Sequence, residues 1–160
     1  MNIRAMTAAD WPAAARIYEE GIATGTATFE TEAPGYEDWD RAHLPSCRLA
    51  AEENGTVVGW AALSPVSVRP VYRGVAEVSV YVAAAHRGRG VGRALLTALI
   101  ASSEQAGLWT LQSAIQRENL ASLALHRLCG FRLVGYRERI ARDAAGVWRD
   151  TYLMERRSRE

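Results

Sequence analysis

The segment 87–93 holds three glycines and three arginines in seven residues. It follows a run with the alternation of a strand, residues 75–82, and leads into residues 91–103, whose apolar side chains recur at helical spacing. Glycines let neighbouring backbone N–H groups converge, and the start of a helix adds partial positive charge. We therefore predict a site for a phosphate or pyrophosphate, reinforced by the arginines. The alternative is a flexible, solvated turn.

Two common phosphate-binding patterns are excluded. The dinucleotide fingerprint requires a glycine where this chain has Arg93. The P-loop requires a lysine, and all 19 basic residues of this chain are arginines. The absence of lysine also excludes a lysine Schiff base. The formal net charge is +1, yet residues 54–103 hold five arginines and one acid, a balance that suits a small anionic ligand better than a nucleic acid.

The 160 residues are predicted to form one domain, residues 1–160. Strands are predicted over 3–5, 48–52, 56–63, 75–82, 109–115, 131–140 and 147–154, and helices over 10–22, 36–43, 91–103 and 120–129. Asp10 is expected to cap the first helix, and Asn54-Gly55 to turn a hairpin. This order predicts the α/β (α+β) class, with a mixed sheet and helices on its faces.

The same sequence predicts a cytoplasmic protein with no membrane partner. No apolar run reaches the length of a membrane span, and the first residues lack the charged-then-apolar order of a signal peptide. Two cysteines, Cys47 and Cys129, are too few for a secreted disulfide framework and lack metal-ligand spacing. No metal site is predicted.

Glu77 is the only acid between Glu53 and Glu104, and it lies in the middle of the predicted strand 75–82. Alternation places it on the polar face with Ser79 and Tyr81. Its carboxylate could point to solvent or pair with a nearby arginine. It could equally serve as a general base in a partly dry cleft, where burial raises the pKa of a carboxyl group toward the working range.

Asn119, Ser122 and His126 form a polar stripe on the leucine-rich helix 120–129. Asn119 could be only the N-cap of this helix, and His126 could be an ordinary surface histidine. If the stripe instead lines a cleft, His126 becomes a proton donor or a substrate contact. The spacing alone leaves both interpretations open.

Four segments carry a resemblance to a known family. Residues 87–92, RGRGVG, resemble the acetyl-CoA motif of the GNAT N-acetyltransferases, and residues 119–131 resemble that superfamily's N-x-x-S-x-x-L-H/Y-x-x-x-G-F segment. Residues 69–82 and 146–150 are similar to the phosphinothricin and methionine sulfone (L-amino acid) N-acetyltransferases within it. The motifs occur in the family's order and cover nearly the whole chain.

The resemblance implies a fold and a co-substrate. The fold is a twisted, mostly antiparallel sheet of about seven strands, splayed between strands four and five, with helices on both faces. Acetyl-CoA is the implied co-substrate and lies in the splay. The residues implied to bind it are Val80, Tyr81 and Val82 at the pantetheine and acetyl carbonyl, Arg87, Gly88, Arg89, Gly90, Val91, Gly92 and Arg93 at the pyrophosphate, and Asn119 with Ser122 at the pantetheine arm.

Catalytic roles follow from the same resemblance. Glu77 matches the glutamate that takes a proton from the substrate ammonium, directly or through water. His126 stands where many relatives have the tyrosine that protonates the leaving thiolate, and Tyr81 or bulk solvent could donate instead. The residues implied to contact the substrate are Phe29, Glu30, Arg69, Tyr72 and Arg73. The chain departs from the pattern at Val75 and over 142–145, which affects the substrate rather than the chemistry.

The expected activity is therefore transfer of acetyl from acetyl-CoA to the α-amino group of a small amino acid or analogue, by direct attack in a ternary complex. Phosphinothricin, methionine sulfoximine and methionine sulfone are the implied acceptors. Acetylation of a peptide N-terminus or a polyamine is an alternative, and a CoA-binding module without turnover is another. Members of the family are commonly homodimers, so a homodimer is expected here.

Overall fold

A computed structural model of the chain describes residues 1–159 and shows seven strands and four α-helices. In chain order these elements are β1 (Asn2–Ala5), α1 (Trp11–Ala23), α2 (Tyr36–Ala42), β2 (Leu49–Glu53), β3 (Thr56–Pro65), β4 (Val75–Val82), α3 (Val91–Gln105), β5 (Thr110–Gln116), α4 (Leu120–Leu128), β6 (Arg132–Arg142) and β7 (Trp148–Arg157). Every predicted element is confirmed, with ends shifted by a few residues. Strand β3, for example, continues beyond the predicted end because Pro65 still pairs with Ala76 of β4.

The strands form one sheet in the order β1-β2-β3-β4-β5-β7-β6. All neighbours run antiparallel except β4 and β5, which are parallel. These two strands pair over only three residues, ending at Glu77 and Gln112, and diverge beyond that point. The predicted mixed sheet with a splay between strands four and five is thus confirmed.

Helices cover both faces of the sheet, and β3 shows the two layers most clearly. Ala61 and Leu63 face a core that includes the leucines of α3, whereas Trp60 and Ala62 face a second core built by α1 and α2. All four side chains are fully buried. Each Å² of apolar surface that is removed from water contributes about 25 cal/mol to stability, so burial on both faces makes β3 a major contributor to the stability of the fold.

The start of α1 is tied to β1 by an ion pair. The guanidinium of Arg4 donates to both carboxylate oxygens of Asp10 at 2.8 Å, and the Thr7 backbone N–H donates to the same group. The Arg4 hydrogen bonds, foremost, lower the pKa of Asp10 to about 2. Asp10 therefore bonds back to the preceding turn and makes no side-chain capping bond to α1, contrary to the expected cap.

Within residues 1–159, none of the helices combines the length and the hydrophobicity that crossing a lipid bilayer requires.

Candidate functional site

A cavity of about 750 Å³ opens where β4 and β5 diverge. Its wall comes from β4, β5 and Thr151 of β7, from the segment between β4 and α3 with the first turn of α3, from one side of α4, and from α1 with the loop that follows it. The size is in the range of small-molecule and cofactor sites. The residues of the sequence-based prediction that line it are Phe29, Glu30, Glu77, Val80, Tyr81, Val82, Arg87, Gly88, Gly90, Val91, Gly92, Arg93, Asn119, Ser122 and His126.

Three of the predicted substrate contacts lie elsewhere. Arg69 places its guanidinium over the ring of Tyr72, 5.7 Å from the centroid. Arg73 lies over the ring of Trp109 at 5.6 Å and donates to the carbonyl of Pro70. Neither arginine nor Tyr72 lines the cavity, so the structure does not bring this segment to the other predicted residues. Their contact with a substrate stays a prediction.

The glycine segment forms the end of the cavity at the start of α3. Gly88 and Gly90 have φ angles of 75° and 85°, a left-handed conformation that side chains rarely adopt. Left-handed residues at 88 and 90, on either side of Arg89, turn successive backbone N–H groups toward one side. Arg87 and Arg93 line the cavity, whereas Arg89 lies 3.5 Å from a carboxylate oxygen of Glu53. An anion placed at this helix start would meet backbone donors and two arginines.

Glu77 lies at the point where β4 and β5 part, opposite Gln112 of β5. Its half-buried side chain lines the cavity. Among residues 1–159, no hydrogen bond or ion pair engages its carboxylate, so the alternative of pairing with a nearby arginine is not found. A carboxylate that is free on a cavity wall can accept a proton from a bound ligand.

Beyond Glu77, one backbone edge of β4 faces the opening. Val80, Tyr81 and Val82 pair with β3 on the other edge, but β5 has already diverged. Backbone groups on this edge are therefore left for a ligand to bond, since buried N–H and C=O groups are almost always paired in native proteins.

Tyr81 packs its ring against α1. The ring stacks on Tyr18 with centroids 4.8 Å apart and on Trp60 at 5.0 Å. Burial, above all, raises the pKa of its hydroxyl, which interacts with Tyr18 and Thr28. The phenol therefore stays protonated at neutral pH. Tyr18 and Thr28 also line the cavity and were missed from the sequence, although a glycine inside a helical pattern, Gly21, signals a close approach of this kind.

The polar stripe on α4 has both structural and site features. Asn119 caps the helix, because its Oδ1 accepts from the Ser122 N–H at 3.2 Å, and it also lines the cavity. His126 is 3% exposed, with its ring edge-to-face on Phe131. Burial lowers the pKa of its imidazole. Nε2 has no hydrogen-bond partner within residues 1–159, and the side chain lines the cavity, so His126 is not a surface histidine.

Two further polar residues on the wall were not found from the sequence. Gln116 ends β5, and Thr151 is its register partner on β7. Both are buried and both line the cavity. No local signal could identify them, because β7 follows β6 in the chain but lies between β5 and β6 in the sheet.

Comparison with known proteins gives a consistent result. Residues 11–131 match the family described as the Acetyltransferase (GNAT) family. A phosphinothricin N-acetyltransferase of Alcaligenes faecalis is 37% identical over 163 aligned positions, which cover 97% of this chain and 81% of the relative. An L-methionine sulfoximine/L-methionine sulfone acetyltransferase of Salmonella typhimurium is 31% identical, over 97% of this chain and 93% of the relative.

A solved structure shows the same architecture. It is a GNAT superfamily phosphinothricin acetyltransferase from Sinorhizobium meliloti in complex with acetyl-CoA. The TM-score is 0.87 at 30% identity, and the match covers 98% of this chain and 87% of that one.

Proposed function

The chain belongs to the GNAT acetyltransferase family, and on that premise we propose that it transfers the acetyl group of acetyl-CoA to the α-amino group of a small amino acid or amino-acid analogue. The names of the relatives support this substrate class. The observation that carries the proposal is the Glu77 carboxylate, which has no partner among residues 1–159 and shares one cavity with the glycine segment at the start of α3. One end of the cavity thus suits a phosphate, and the splay point suits an amine.

The residues present fit acetyl-CoA. The glycine segment and the arginines Arg87 and Arg93 would hold the pyrophosphate, and the unpaired edge of β4 would bond the amides of the pantetheine arm. Asn119 and Ser122 would contact the same arm from α4. The bound thioester supplies an electrophilic acetyl carbon.

Glu77 begins the reaction by removing a proton from the substrate ammonium, directly or through a water molecule. The freed amine then attacks while both substrates are bound. Backbone N–H groups of β4 near Val80 donate to the carbonyl oxygen as negative charge develops on it, and this electrostatic stabilisation is commonly the largest catalytic term.

His126 accepts the second proton of the amine. Its Nε2 can accept because Nδ1 donates to the Ser122 carbonyl oxygen. Burial lowers the pKa of the imidazole, so the protonated ring readily donates its proton. It can therefore take the proton released from nitrogen and pass it to the departing thiolate. Tyr81 has a raised pKa, which makes it the weaker acid of the two, and it serves to shape the wall.

A second copy of the chain is the proposed partner at the far edge of the sheet. Strand β6 is an edge strand, and edge strands with apolar side chains favour pairing with another chain. Exposed apolar side chains concentrate on β6 and at the start of β7: Leu133, Val134, Tyr136, Ile140, Val147 and Trp148. Sedimentation of the wild type and of Ile140→Glu tests this homodimer, since the charge should yield monomers. A monomeric wild type would reject it.

The function is tested by release of CoA thiol from acetyl-CoA across a panel of acceptors. The panel contains phosphinothricin, methionine sulfoximine, methionine sulfone, spermidine and a short peptide. Turnover with the amino-acid analogues alone supports the proposal. Turnover only with spermidine or the peptide would keep the fold and reject the substrate class, and CoA binding without any turnover would leave a non-catalytic module.

A further inference from the structure

Within residues 1–159, five buried side-chain polar atoms on the cavity wall lack a hydrogen-bond partner. His86 and His126 each contribute one ring nitrogen, and the other three atoms belong to two neighbouring residues. These three are Oε1 and Nε2 of Gln116 and Oγ1 of Thr151. The two side chains are only 4% and 2% exposed. Their Cα atoms are register partners on β5 and β7, so the side chains lie next to each other on one face of the sheet.

Unpaired buried polar groups are rare in native proteins and call for an explanation. The large majority of buried side-chain polar atoms have a partner, because burial without one forfeits the hydrogen bonds that water would supply. In the part of the chain that the structure describes, a complete amide and a neighbouring hydroxyl are unpaired together, and both face a cavity. A bound ligand would provide the missing bonds.

The position of the pair indicates which substrate it meets. Gln112 is the last residue of β5 paired with β4, opposite Glu77. Gln116 is four residues further along the strand, so its side chain points to the same face as that of Gln112 and lies about 13 Å beyond it. This is also the face of Glu77, the proposed base, and not the helix start that would hold the pyrophosphate. The pair therefore faces the acceptor amino acid.

The chemistry of the pair indicates the kind of group it binds. The formal charges on the wall lie elsewhere, with arginines in the glycine segment and glutamates at positions 30 and 77. The amide of Gln116 and the hydroxyl of Thr151 are neutral, and each both donates and accepts. A hydrocarbon would leave them unpaired, whereas an amide, a hydroxyl or an oxidised sulfur group would bond them.

We infer that Gln116 and Thr151 form a specificity subsite that hydrogen-bonds a neutral polar group at the end of the acceptor's side chain and thereby selects against hydrocarbon side chains of similar length. This inference rests on the proposed function, because it concerns the acceptor of the same reaction. Residues of β5 and β7 would then discriminate among amino-acid side chains. Glu77 cannot do so, because it contacts only the α-amino group that all these acceptors share.

The test compares kcat/KM for methionine sulfone and methionine, which share a carbon chain and differ in the two sulfonyl oxygens. Glutamine and norleucine form a second pair. The variants are Gln116→Leu, Thr151→Val and the double variant, each measured at saturating acetyl-CoA. Gln112→Leu is the matched control, because it makes the same exchange on the same strand and face outside the cavity.

In the wild type, the polar member of each pair should be preferred by about tenfold or more. The variants should lower that preference about tenfold, while kcat/KM for methionine and the KM of acetyl-CoA stay at their wild-type values. Gln112→Leu should keep the wild-type ratio of the two kcat/KM values. Ligand-free unfolding temperatures should stay equal or rise, since each variant removes an unpaired polar group. A clear fall in the unfolding temperature would show that Gln116 and Thr151 have a structural role instead.

The outcomes separate this inference from the function it rests on. If all variants turn over with unchanged ratios of kcat/KM between polar and hydrocarbon acceptors, the inference alone is overturned. Gln116 and Thr151 would then bind water rather than the acceptor. A raised KM for acetyl-CoA with unchanged ratios would place the pair at the co-substrate and also overturn the inference. If no amino acid is acetylated, the proposed function fails, and calorimetric titration of the CoA-loaded protein with methionine sulfone and methionine then decides whether the subsite still discriminates.

Discussion

The Nδ1 atom of His126 lies 2.8 Å from the carbonyl oxygen of Ser122, one turn earlier on α4. Because a carbonyl oxygen can only accept, Nδ1 carries the proton, and the neutral ring has its lone pair on Nε2. The Ser122 hydroxyl lies 3.3 Å from the same nitrogen. This one contact makes His126 a proton acceptor toward the cavity rather than a resting donor.

The pKa of His126 predicts how stability depends on pH. Burial lowers it below the ordinary value of 6.5, so the unfolded chain takes up a proton at a higher pH than the folded protein does. The stability contributed by the neutral ring is thus present above pH 6.5 and is lost as pH falls through the folded pKa. Urea unfolding at about pH 7.5 and about pH 5 should show a smaller free energy of unfolding at the lower pH.

His126→Gln should reduce this difference between the two pH values, because glutamine does not titrate. A residual difference is expected from His43, whose pKa burial also lowers. An identical pH difference in the wild type and the variant would show that His126 takes up its proton without penalty in the folded state.

Removal of the Glu77 carboxylate should separate chemistry from binding. Glu77→Gln keeps the shape of the side chain but cannot accept the ammonium proton, so kcat should fall by about 10²- to 10⁴-fold. The affinity for acetyl-CoA, measured by calorimetry, should stay near that of the wild type. Glu19→Gln is the control, since this exposed residue of α1 lies outside the cavity. Undiminished turnover in Glu77→Gln would reject the general base.

The arginines of the glycine segment should act on co-substrate binding alone. Arg93 lines the cavity beside the start of α3, and a charge-assisted bond to phosphate is among the stronger hydrogen bonds. Arg93→Gln should raise the KM of acetyl-CoA about tenfold with little change in kcat. Added salt should reduce the difference in KM between the wild type and the variant, because it screens the exposed charge of Arg93. Arg127→Gln, an exposed arginine of α4 outside the cavity, should leave both constants unchanged. Equal KM values in the two variants would exclude Arg93 from the phosphate site.

Local patterns in the sequence predicted the parts of the site that a single element positions. Alternation along one strand placed Glu77 and Tyr81 on the same face, and helical spacing grouped Asn119 with His126. The glycine segment was recognisable because left-handed turns and close backbone approach restrict residue type. In each case the relevant neighbours are within one helix, strand or turn.

Contacts made across the sheet were not accessible in this way. Gln116 and Thr151 meet only because β7 inserts between β5 and β6, an order that no stretch of sequence specifies. The guanidinium groups of Arg69 and Arg73 lie over aromatic rings outside the cavity, and their contact with a substrate stays a prediction. A long, flexible side chain can reach several alternative partners, and which one it contacts depends on neighbours that only the folded structure brings near.

The close approach of Gly21 to Tyr81 predicts an unusual response to a small substitution. A glycine in a helix interior is normally improved by alanine, by about 1 kcal/mol. A Cβ at Gly21 would lie 2.7 Å from two ring carbons of Tyr81, and that ring is held in place by its stacking on Tyr18 and Trp60. Overpacking of this kind costs about 1–3 kcal/mol, so Gly21→Ala should lower the unfolding temperature rather than raise it.

Gly135→Ala is the control for added bulk, because a Cβ there meets no atom of residues 1–159 within 4 Å and the backbone is not left-handed. Its unfolding temperature should change little. Displacement of the Tyr81 ring in Gly21→Ala should also raise the KM of the amino-acid acceptor, since that ring forms part of the cavity wall on the face of Glu77. A more stable Gly21→Ala variant with unchanged KM would show that the ring can move aside freely, and the shape of the acceptor wall would then have to depend on residues other than Tyr81.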